Sequence, residues 1–337
     1  MRYSGLLASL LLALFVSFAP AAPRPPRLGK VLGADISFLP QLETRGMKFT
    51  DNGQPGDAIY LLKKHHFNYI RLRIFNNPAA DSGYAPGKGF CDLPHTLAMA
   101  RRVKAAGLKL LLDFHYSDTW ADPQKQFKPA AWQGLHGAAL AQAVHDYTRD
   151  VLLALQKQGT PPDMVQVGNE ISHGMLWPDG NTQLPDSLAR YATLAQLVKA
   201  GVRAVRETTP RTLVMLHIAL GGQTQLSNTW LDRMRAASVE FDVIGQSYYP
   251  KWHGTLADLK ANLTQLATRY PQDVVVVEYS EHKPEVNDIV FNLPGGKGRG
   301  TFIWEPLNTW EAVFDKQGQA NALLPLYDEL GRKYNIP

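Results

Sequence analysis

The sequence predicts a single closed (β/α)8 barrel, the TIM barrel of the α/β class, in which parallel strands alternate with helices. From about residue 31, short apolar runs rich in β-branched residues alternate with longer segments of helical periodicity. Eight such runs fit the length, because the fold usually needs about 250 residues plus loop insertions. The rival is an open doubly wound sheet. Against it, the first run contains the single glycine Gly33 and no glycine-rich phosphate-binding turn.

The predicted elements follow the chain in order. Strands are expected at residues 31–37, 68–75, 109–116, 164–170, 212–219, 243–249, 274–280 and 300–306. Apolar residues three or four apart predict helices at 93–106, 140–158, 187–207, 255–269 and 320–333. Gly107 and Gly159 stand where helix C-caps are expected, and Pro210 stops the helix before the fifth strand.

The composition and the N-terminal sequence limit the classes of protein to which this chain can belong. The 337 residues are 45% hydrophobic and 19% charged, and the net charge of +5 forms no basic run, so we expect no nucleic-acid partner. The protein is expected to be a monomer. An apolar block at 6–18 followed by small residues predicts a signal peptide, with a retained N-terminal anchor as the alternative. The expected organisation is a signal peptide at 1–22, a proline-rich linker at 23–30 and the barrel at 31–337.

Several residue types predict no special chemistry. Cys91 is the only cysteine and is expected to be inert, because its chain neighbours Phe90 and Asp92 offer no base or cation. His65 and His66 are interpreted as surface or packing residues. No histidine or cysteine pattern of a catalytic metal is present, so neither a metal nor a cofactor is expected.

Polar side chains occupy the carboxyl ends of all eight predicted strands, where TIM barrels carry their active sites. One such residue is as easily structural as functional, but carboxylates at the ends of apolar strands are costly to bury without a use. The residues are Asp35, Arg71, Arg73, Asp113, His115, Asn169, Glu170, His217, Tyr248, Tyr249, Glu278, Trp304 and Glu305.

Two of these, Glu170 on the fourth strand and Glu278 on the seventh, suit the hydrolysis of a glycosidic bond. That reaction needs one carboxyl group as acid and a second as nucleophile or base, and their separation decides between retention and inversion. We expect Arg71 or Arg73, with Tyr248 or Tyr249, to stabilise Glu278 as the carboxylate. Its negative charge would help to keep Glu170 protonated.

Tryptophan placement favours a sugar ligand, since indole faces stack on the C–H faces of pyranose rings. The candidates after strand ends are Trp120, Trp132, Trp177, Trp252, Trp304 and Trp310. Trp177 has the position of a ligand-facing loop residue, whereas Trp304 lies within a strand and is equally compatible with barrel packing.

Four motifs then show a family resemblance: residues 113–123 (DFHYSDTWADP), 168–170 (GNE), 245–250 (GQSYYP) and 304–306 (WEP). Together they closely resemble the arabinogalactan endo-β-1,4-galactanases of glycoside hydrolase family 53, in the clan A of retaining barrel glycosidases. The similarity extends over residues 32–310. The GNE motif is shared more widely in the clan, whereas the long first motif is specific.

The resemblance implies hydrolysis of internal β-1,4-galactosidic bonds in the galactan or arabinogalactan of plant pectin, outside the cytoplasm. It implies Glu170 as acid/base, Glu278 as nucleophile and Asn169 as the partner of the sugar 2-hydroxyl. Further substrate contacts are expected from Arg71, Arg73, Asp113, His115, Trp120, Asp122, Trp177, His217, Tyr248, Tyr249 and Trp304.

One departure from the family concerns calcium. Many bacterial relatives carry a long calcium-binding loop after the seventh strand, but residues 279–299 are short here and lack the spaced aspartates of such a loop. We therefore expect no tightly bound calcium. The remaining alternatives are a retaining glycanase of the same clan acting on mannan or glucan, and an inactive galactan-binding protein.

Overall fold

The barrel is present and closed. The computed structural model describes residues 26–183, 187–309 and 311–336. Its eight parallel strands pair in chain order, and the ring closes where Ala34 in the first strand lies opposite Ile303 in the last. The strands are β1 Val31–Asp35, β2 Tyr69–Ile74, β3 Lys109–Phe114, β4 Met164–Val167, β5 Leu213–Ile218, β6 Val243–Tyr248, β7 Asp273–Tyr279 and β8 Gly298–Trp304. The predicted fold class and all eight strands are confirmed.

Helices cover the outside of this ring. They are α1 Leu39–Thr44, α2 Ala58–Lys64, α3 Leu93–Ala105, α4 Gly137–Lys157, α5 Ser187–Thr208, α6 Thr224–Ala236, α7 Pro250–His253, α8 Leu256–Arg269, α9 Lys283–Phe291 and α10 Leu326–Tyr334. Four predicted helices are confirmed as α3, α4, α5 and α8. The fifth begins later than predicted, because Pro325 has no N–H group and fits a helix start but not a helix interior.

The strands read as unbroken apolar runs because both of their faces are buried. In β7, Val274 and Val276 pack outward among the helices, whereas Val275 and Val277 point inward. The inner set fills the barrel with layers of side chains, including Leu111, and leaves no pore.

The chain before β1 reaches the floor of the barrel. Leu28 is buried within the inner cluster, and the side chain of Asn68 donates to the carbonyl of Lys30. These contacts place residues 28–30, the last part of the predicted linker, against the barrel. The signal peptide and residues 23–25 of the linker lie outside the described residues. None of the described helices has the length and apolarity needed to cross a membrane.

Close packing between β8 and β1 explains why residue 300 is a glycine. Gly300 in β8 has φ of +127°, and a Cβ atom added there would lie 1.8 Å from the carbonyl oxygen of Val31. Only glycine combines this backbone conformation with so close an approach of β1.

We expect Gly300→Ala to lower the free energy of unfolding by about 1–3 kcal/mol, because the backbone or the neighbouring strand must shift. Urea denaturation of the purified protein measures this. Gly134→Ala is the matched control, since nothing lies within 4 Å of its added Cβ. Equal losses for the two variants would contradict the packing argument.

Candidate active site

A β-bulge directs Glu278 into the barrel. In the pairing of β6 with β7, Gln246 lies opposite Val276, but the next residue, Ser247, lies opposite Glu278. The pairing thus skips Val277. Val277 and Glu278, two consecutive residues of β7, therefore both face inward, as β-bulges allow. Simple alternation from Val276 would have pointed Glu278 outward.

Glu170 reaches the same mouth through an unusual backbone. It follows β4 by way of Gly168 at φ +86°, and is itself left-handed at φ 48°, ψ 45°. A side-chain-bearing residue adopts this region only when its surroundings enforce it, and such residues cluster at functional sites. The Oε1 atom of Glu170 accepts a 2.6 Å hydrogen bond from Ser247, the residue opposite Glu278 in the sheet. The charge of Glu278 acts on Glu170, so the two carboxylates lie close together at this mouth.

Residues at the floor of the site accept hydrogen bonds from every donor of the Arg71 guanidinium. Its Nη1 donates to Glu278 at 2.7 Å and to Asp35 at 3.0 Å, and its Nη2 donates to Asp113 and to Asn169 Oδ1, both at 2.8 Å. The fifth donor, Nε, contacts Gln166 Oε1 at 3.2 Å. All five N–H groups of the guanidinium are used. The side chain is 1% exposed, so these charges interact with little screening by water.

Of the four residues expected to stabilise Glu278, two contact it and two do not. Arg71 and Tyr249 contact it, the latter by a 3.3 Å bond from its hydroxyl to Oε2. Arg73 pairs instead with Glu305 at 2.5 Å. Tyr248 packs in the outer cluster and donates to the carbonyl of Gly254. The assignment of Tyr248 to the substrate cleft is therefore wrong, because side-chain alternation places it on the helix side of β6.

Burial and mutual charge set the acidities of the pair. Burial raises the pKa of Glu278 to about 7, and the opposing charge of Arg71 limits the rise. The expected net stabilisation of the carboxylate is thus outweighed by burial. For Glu170, burial and then the negative charge of Glu278 hold the pKa well above its usual range. Arg71 bonds Glu278 directly and favours its ionised form.

Asp113 and His115 support Arg71 from β3. Burial alone would raise the pKa of Asp113, but Arg71 and His115 together lower it below its usual value. His115 Nδ1 accepts from the N–H of Ala121 at 3.0 Å, so its Nε2 is the donor to Asp113 at 3.1 Å. Asp113 and His115 are 0% and 4% exposed, so they hold the site together from below the cleft.

Asn169 is held by three neighbours. Its Oδ1 accepts from Arg71 and from Gln166 Nε2 at 3.0 Å, and its Nδ2 donates to the carbonyl of Ala121 at 2.9 Å. The second Nδ2 hydrogen is left for another acceptor. Gln166 was missed from the sequence. The available signal was a polar residue at an inward position of the otherwise apolar strand β4.

Three rings form a wall on one side of the mouth: Phe38 after β1, Trp120 after β3 and Trp304 in β8. Their centroids lie 6.1 to 6.3 Å apart. The guanidinium of Arg73 lies beneath them, 4.3 Å from the Trp120 ring and 4.5 Å from the Phe38 ring. Arg73 is 2% exposed, so it supports this aromatic wall and does not line the cleft. Phe38 was also missed.

Trp177 and Asp122, two further predicted site residues, are linked to Asn169 and Glu170 in different ways. Trp177 is partly exposed, and its backbone N–H donates to Gln126, whose side chain bonds the carbonyl of Asn169. Asp122 accepts from two N–H groups of its own turn, and its charge contributes to the raised pKa of Glu170.

The other tryptophans divide between core and surface. Trp132 is 7% exposed and packs against Tyr147, so it belongs to the core. Trp252 is 57% exposed and lies edge-on to Tyr249, across the mouth from the aromatic wall. Trp310 lies outside the described residues.

Cys91 is buried, and burial raises the pKa of its thiol to about 12 despite the nearby cation of Arg73. This cation could not be predicted from Phe90 and Asp92, the chain neighbours of Cys91. His65 pairs with Asp328 and Asp51, and the ring of His66 packs against Gly331, as expected for packing residues. Among the described residues no cluster of three His, Cys, Asp or Glu side chains could hold a metal ion. The absence of tight calcium stays a prediction.

Two carboxylates converging at the carboxyl end of a closed barrel, beside an aromatic wall, define a glycoside hydrolase of the barrel class. Comparison with known proteins gives the family. Residues 31–285 match the model of glycosyl hydrolase family 53, and the chain belongs to that family. The resemblance seen in the motifs is confirmed.

Individual relatives extend the match. The chain is 34% identical to a probable arabinogalactan endo-β-1,4-galactanase A of Aspergillus terreus, with 92% of this chain and 95% of that protein covered. It is 35% identical to an endo-β-1,4-galactanase of Bacillus subtilis, covering 87% of this chain but 64% of the relative. The solved catalytic domain of the family 53 protein from Ignisphaera aggregans superposes with a TM-score of 0.82 at 31% identity, covering 92% and 98% of the two chains.

Loss of Arg71 should destabilise the protein severely. We expect Arg71→Met to lower the free energy of unfolding by about 3–5 kcal/mol, because three buried carboxylates lose their partner. The control is Arg102→Met, whose guanidinium pairs with Glu43 and Asp57 but is 32% exposed. Its removal should cost about 0–1 kcal/mol. Chemical denaturation at neutral pH compares the two, and similar losses would contradict a central role for Arg71.

Proposed function

We propose that the protein is a retaining endo-β-1,4-galactanase in which Glu170 is the acid/base and Glu278 the nucleophile. The observation that carries this assignment is the asymmetry of the two converging carboxylates. Arg71 and Tyr249 donate hydrogen bonds to Glu278, whereas burial and the charge of Glu278 hold the pKa of Glu170 well above its usual range. A double displacement needs this division of labour.

In the first step, a carboxylate oxygen of Glu278 attacks the anomeric carbon, and Glu170 transfers its proton to the departing glycosidic oxygen. The C–O bond to the leaving sugar breaks as the ester to Glu278 forms. In the second step, Glu170, now ionised, takes a proton from water, whose oxygen displaces Glu278. Two inversions at one carbon give net retention.

The neighbouring side chains support both steps. We assign the second Nδ2 hydrogen of Asn169 to the 2-hydroxyl of the sugar beside the scissile bond. The aromatic wall of Phe38, Trp120 and Trp304 offers apolar surface for sugar rings on the side of β8 and β1. Arg71, Arg73, Asp113, His115 and His217 are almost completely buried, so we assign them to positioning the residues that touch substrate.

The substrate assignment draws on the relatives. Both the Aspergillus and the Bacillus proteins carry the name of endo-β-1,4-galactanase. The motif at 113–123, specific to the family, contributes Asp113, His115 and Trp120 to the site. We therefore assign the internal β-1,4-galactosidic bonds of plant galactan or arabinogalactan as substrate.

Single carboxylate variants test the two roles. Glu170→Ala and Glu278→Ala should each lower galactan hydrolysis by more than about 10²-fold, the lower end of general acid catalysis. With an aryl β-galactobioside and azide, Glu170→Ala should yield the β-galactosyl azide, since azide replaces water in the second step. Glu278→Ala should yield the α-azide, since azide replaces the nucleophile.

Glu240→Ala is the control, because Glu240 is exposed and should retain full activity. Near-normal turnover by either site variant, or azide products of the opposite configurations, would rule out the assigned roles. NMR of the azide products and a reducing-sugar assay provide the readouts.

Substrate specificity needs a separate comparison. We expect reducing sugar to be released from β-1,4-galactan at a rate at least about 10²-fold above mannan and cellulose, because a site that bonds a hydroxyl group discriminates strongly against its epimer. Faster hydrolysis of mannan or cellulose would identify a different glycanase of the clan. Binding of galactan without any hydrolysis would identify a carbohydrate-binding protein.

We also propose export. The N-terminal pattern of residues 1–22 supports a cleaved signal peptide and a secreted or periplasmic monomer, consistent with a polymeric substrate outside the cell.

A further inference from the structure

Two side chains, Ser247 and His217, lie behind Glu170, and the function proposed above does not say how they act on it. Ser247 Oγ lies 2.6 Å from Glu170 Oε1, and His217 Nε2 lies 2.8 Å from the same Ser247 oxygen. Both side chains are 0% exposed. A buried chain of hydrogen bonds therefore begins at the proposed acid and ends at a histidine.

The partners of His217 determine which nitrogen carries its proton. Its Nδ1 accepts from the backbone N–H of Glu170 at 3.4 Å. Gln166 Nε2 lies 3.2 Å away, but its two hydrogens have closer acceptors in Asp113 Oδ1 at 2.5 Å and Asn169 Oδ1 at 3.0 Å. Asn169 Oδ1 also lies 3.0 Å away, but it already accepts from Arg71 and Gln166. Nδ1 is thus an acceptor, and Nε2 carries the hydrogen that is donated to Ser247.

His217 must also be neutral for this arrangement. Burial and the charge of Arg71 lower its pKa well below the usual value, and the other titratable groups facing it are Asp113, His115 and His253. A neutral ring with hydrogen on Nε2 cannot accept from Ser247. The single hydroxyl proton of Ser247 is therefore directed to Glu170 Oε1.

We propose that His217 and Ser247 are positioning residues that determine which carboxyl oxygen of Glu170 carries the catalytic proton. This inference rests on the proposed role of Glu170. Because Oε1 always receives the Ser247 hydrogen, the proton of the acid is confined to Oε2, the oxygen available to the leaving group. The same bond stabilises the carboxylate as the proton departs, and the donor behind it polarises the hydroxyl.

The proposal predicts a specific phenotype for Ser247→Ala. Loss of the donor raises the pKa of Glu170, so the alkaline limb of the kcat/KM profile should move up by about one pH unit. The charged groups that face Glu170, namely Glu278, Asp122 and Arg71, are unchanged in the variant. Hydrolysis of galactan should fall by about 10-fold or more. A dinitrophenyl β-galactobioside, whose leaving group needs no proton, should be cleaved in the first step at the wild-type rate.

Ser227→Ala is the matched control, because Ser227 is also 0% exposed and bonds the carbonyl of Leu220, away from both glutamates. It should show the wild-type pH profile. Ser247→Thr, which keeps the hydroxyl, should restore the wild-type alkaline limb. Equal losses on both substrates with an unmoved limb would overturn the proposal.

A measurement on the unaltered protein keeps the test independent of folding defects. Nitrogen-15 NMR of histidine-labelled protein should show His217 as the neutral Nε2–H form throughout the active pH range. An imidazolium or an Nδ1–H form would overturn the proposal. If instead Glu170→Ala were fully active, the proposed function itself would fail, whatever the state of His217.

Discussion

The guanidinium of Arg71 is the interaction on which the rest of the site depends. It lies at the centre of the barrel mouth and satisfies all five of its donors with residues from four other strand ends. Buried charges of one sign repel each other and lose hydration, so the carboxylates of β1, β3 and β7 are stabilised largely by this cation. It favours the ionised form of Glu278, and the negative charge of Glu278 in turn raises the pKa of Glu170.

Backbone irregularities then aim these groups. The barrel has a regular alternation of inward and outward residues, and a strictly regular β7 would place Glu278 among the helices. The bulge against Ser247 turns it inward, and the left-handed backbone of Glu170 performs the same task after β4. Chemistry at this rim therefore depends on local departures from the fold that positions it.

Much of this could be predicted from the sequence, because apolar periodicity and polar strand ends are local signals. They identified the eight strands, the mouth residues and the pairing of Arg71 with Glu278 as one of two options. The choice between Arg71 and Arg73 could not be made, because it depends on which acid lies beside each arginine across the ring. Tyr248 was misplaced because adjacent tyrosines point to opposite faces and the motif does not show which faces inward. Gln166 and Ser247 were missed because their importance arises only from neighbours on other strands.

We propose that Glu278 forms a covalent bond to the sugar while Glu170 supplies the proton. Incubation with a dinitrophenyl 2-deoxy-2-fluoro-β-galactobioside, which slows the second step, tests this most directly. Intact-mass and peptide mass spectrometry should find one fluoroglycosyl group per chain, attached to Glu278. Attachment to any other residue, or turnover of the substrate to α-configured product without a covalent adduct, would contradict the account.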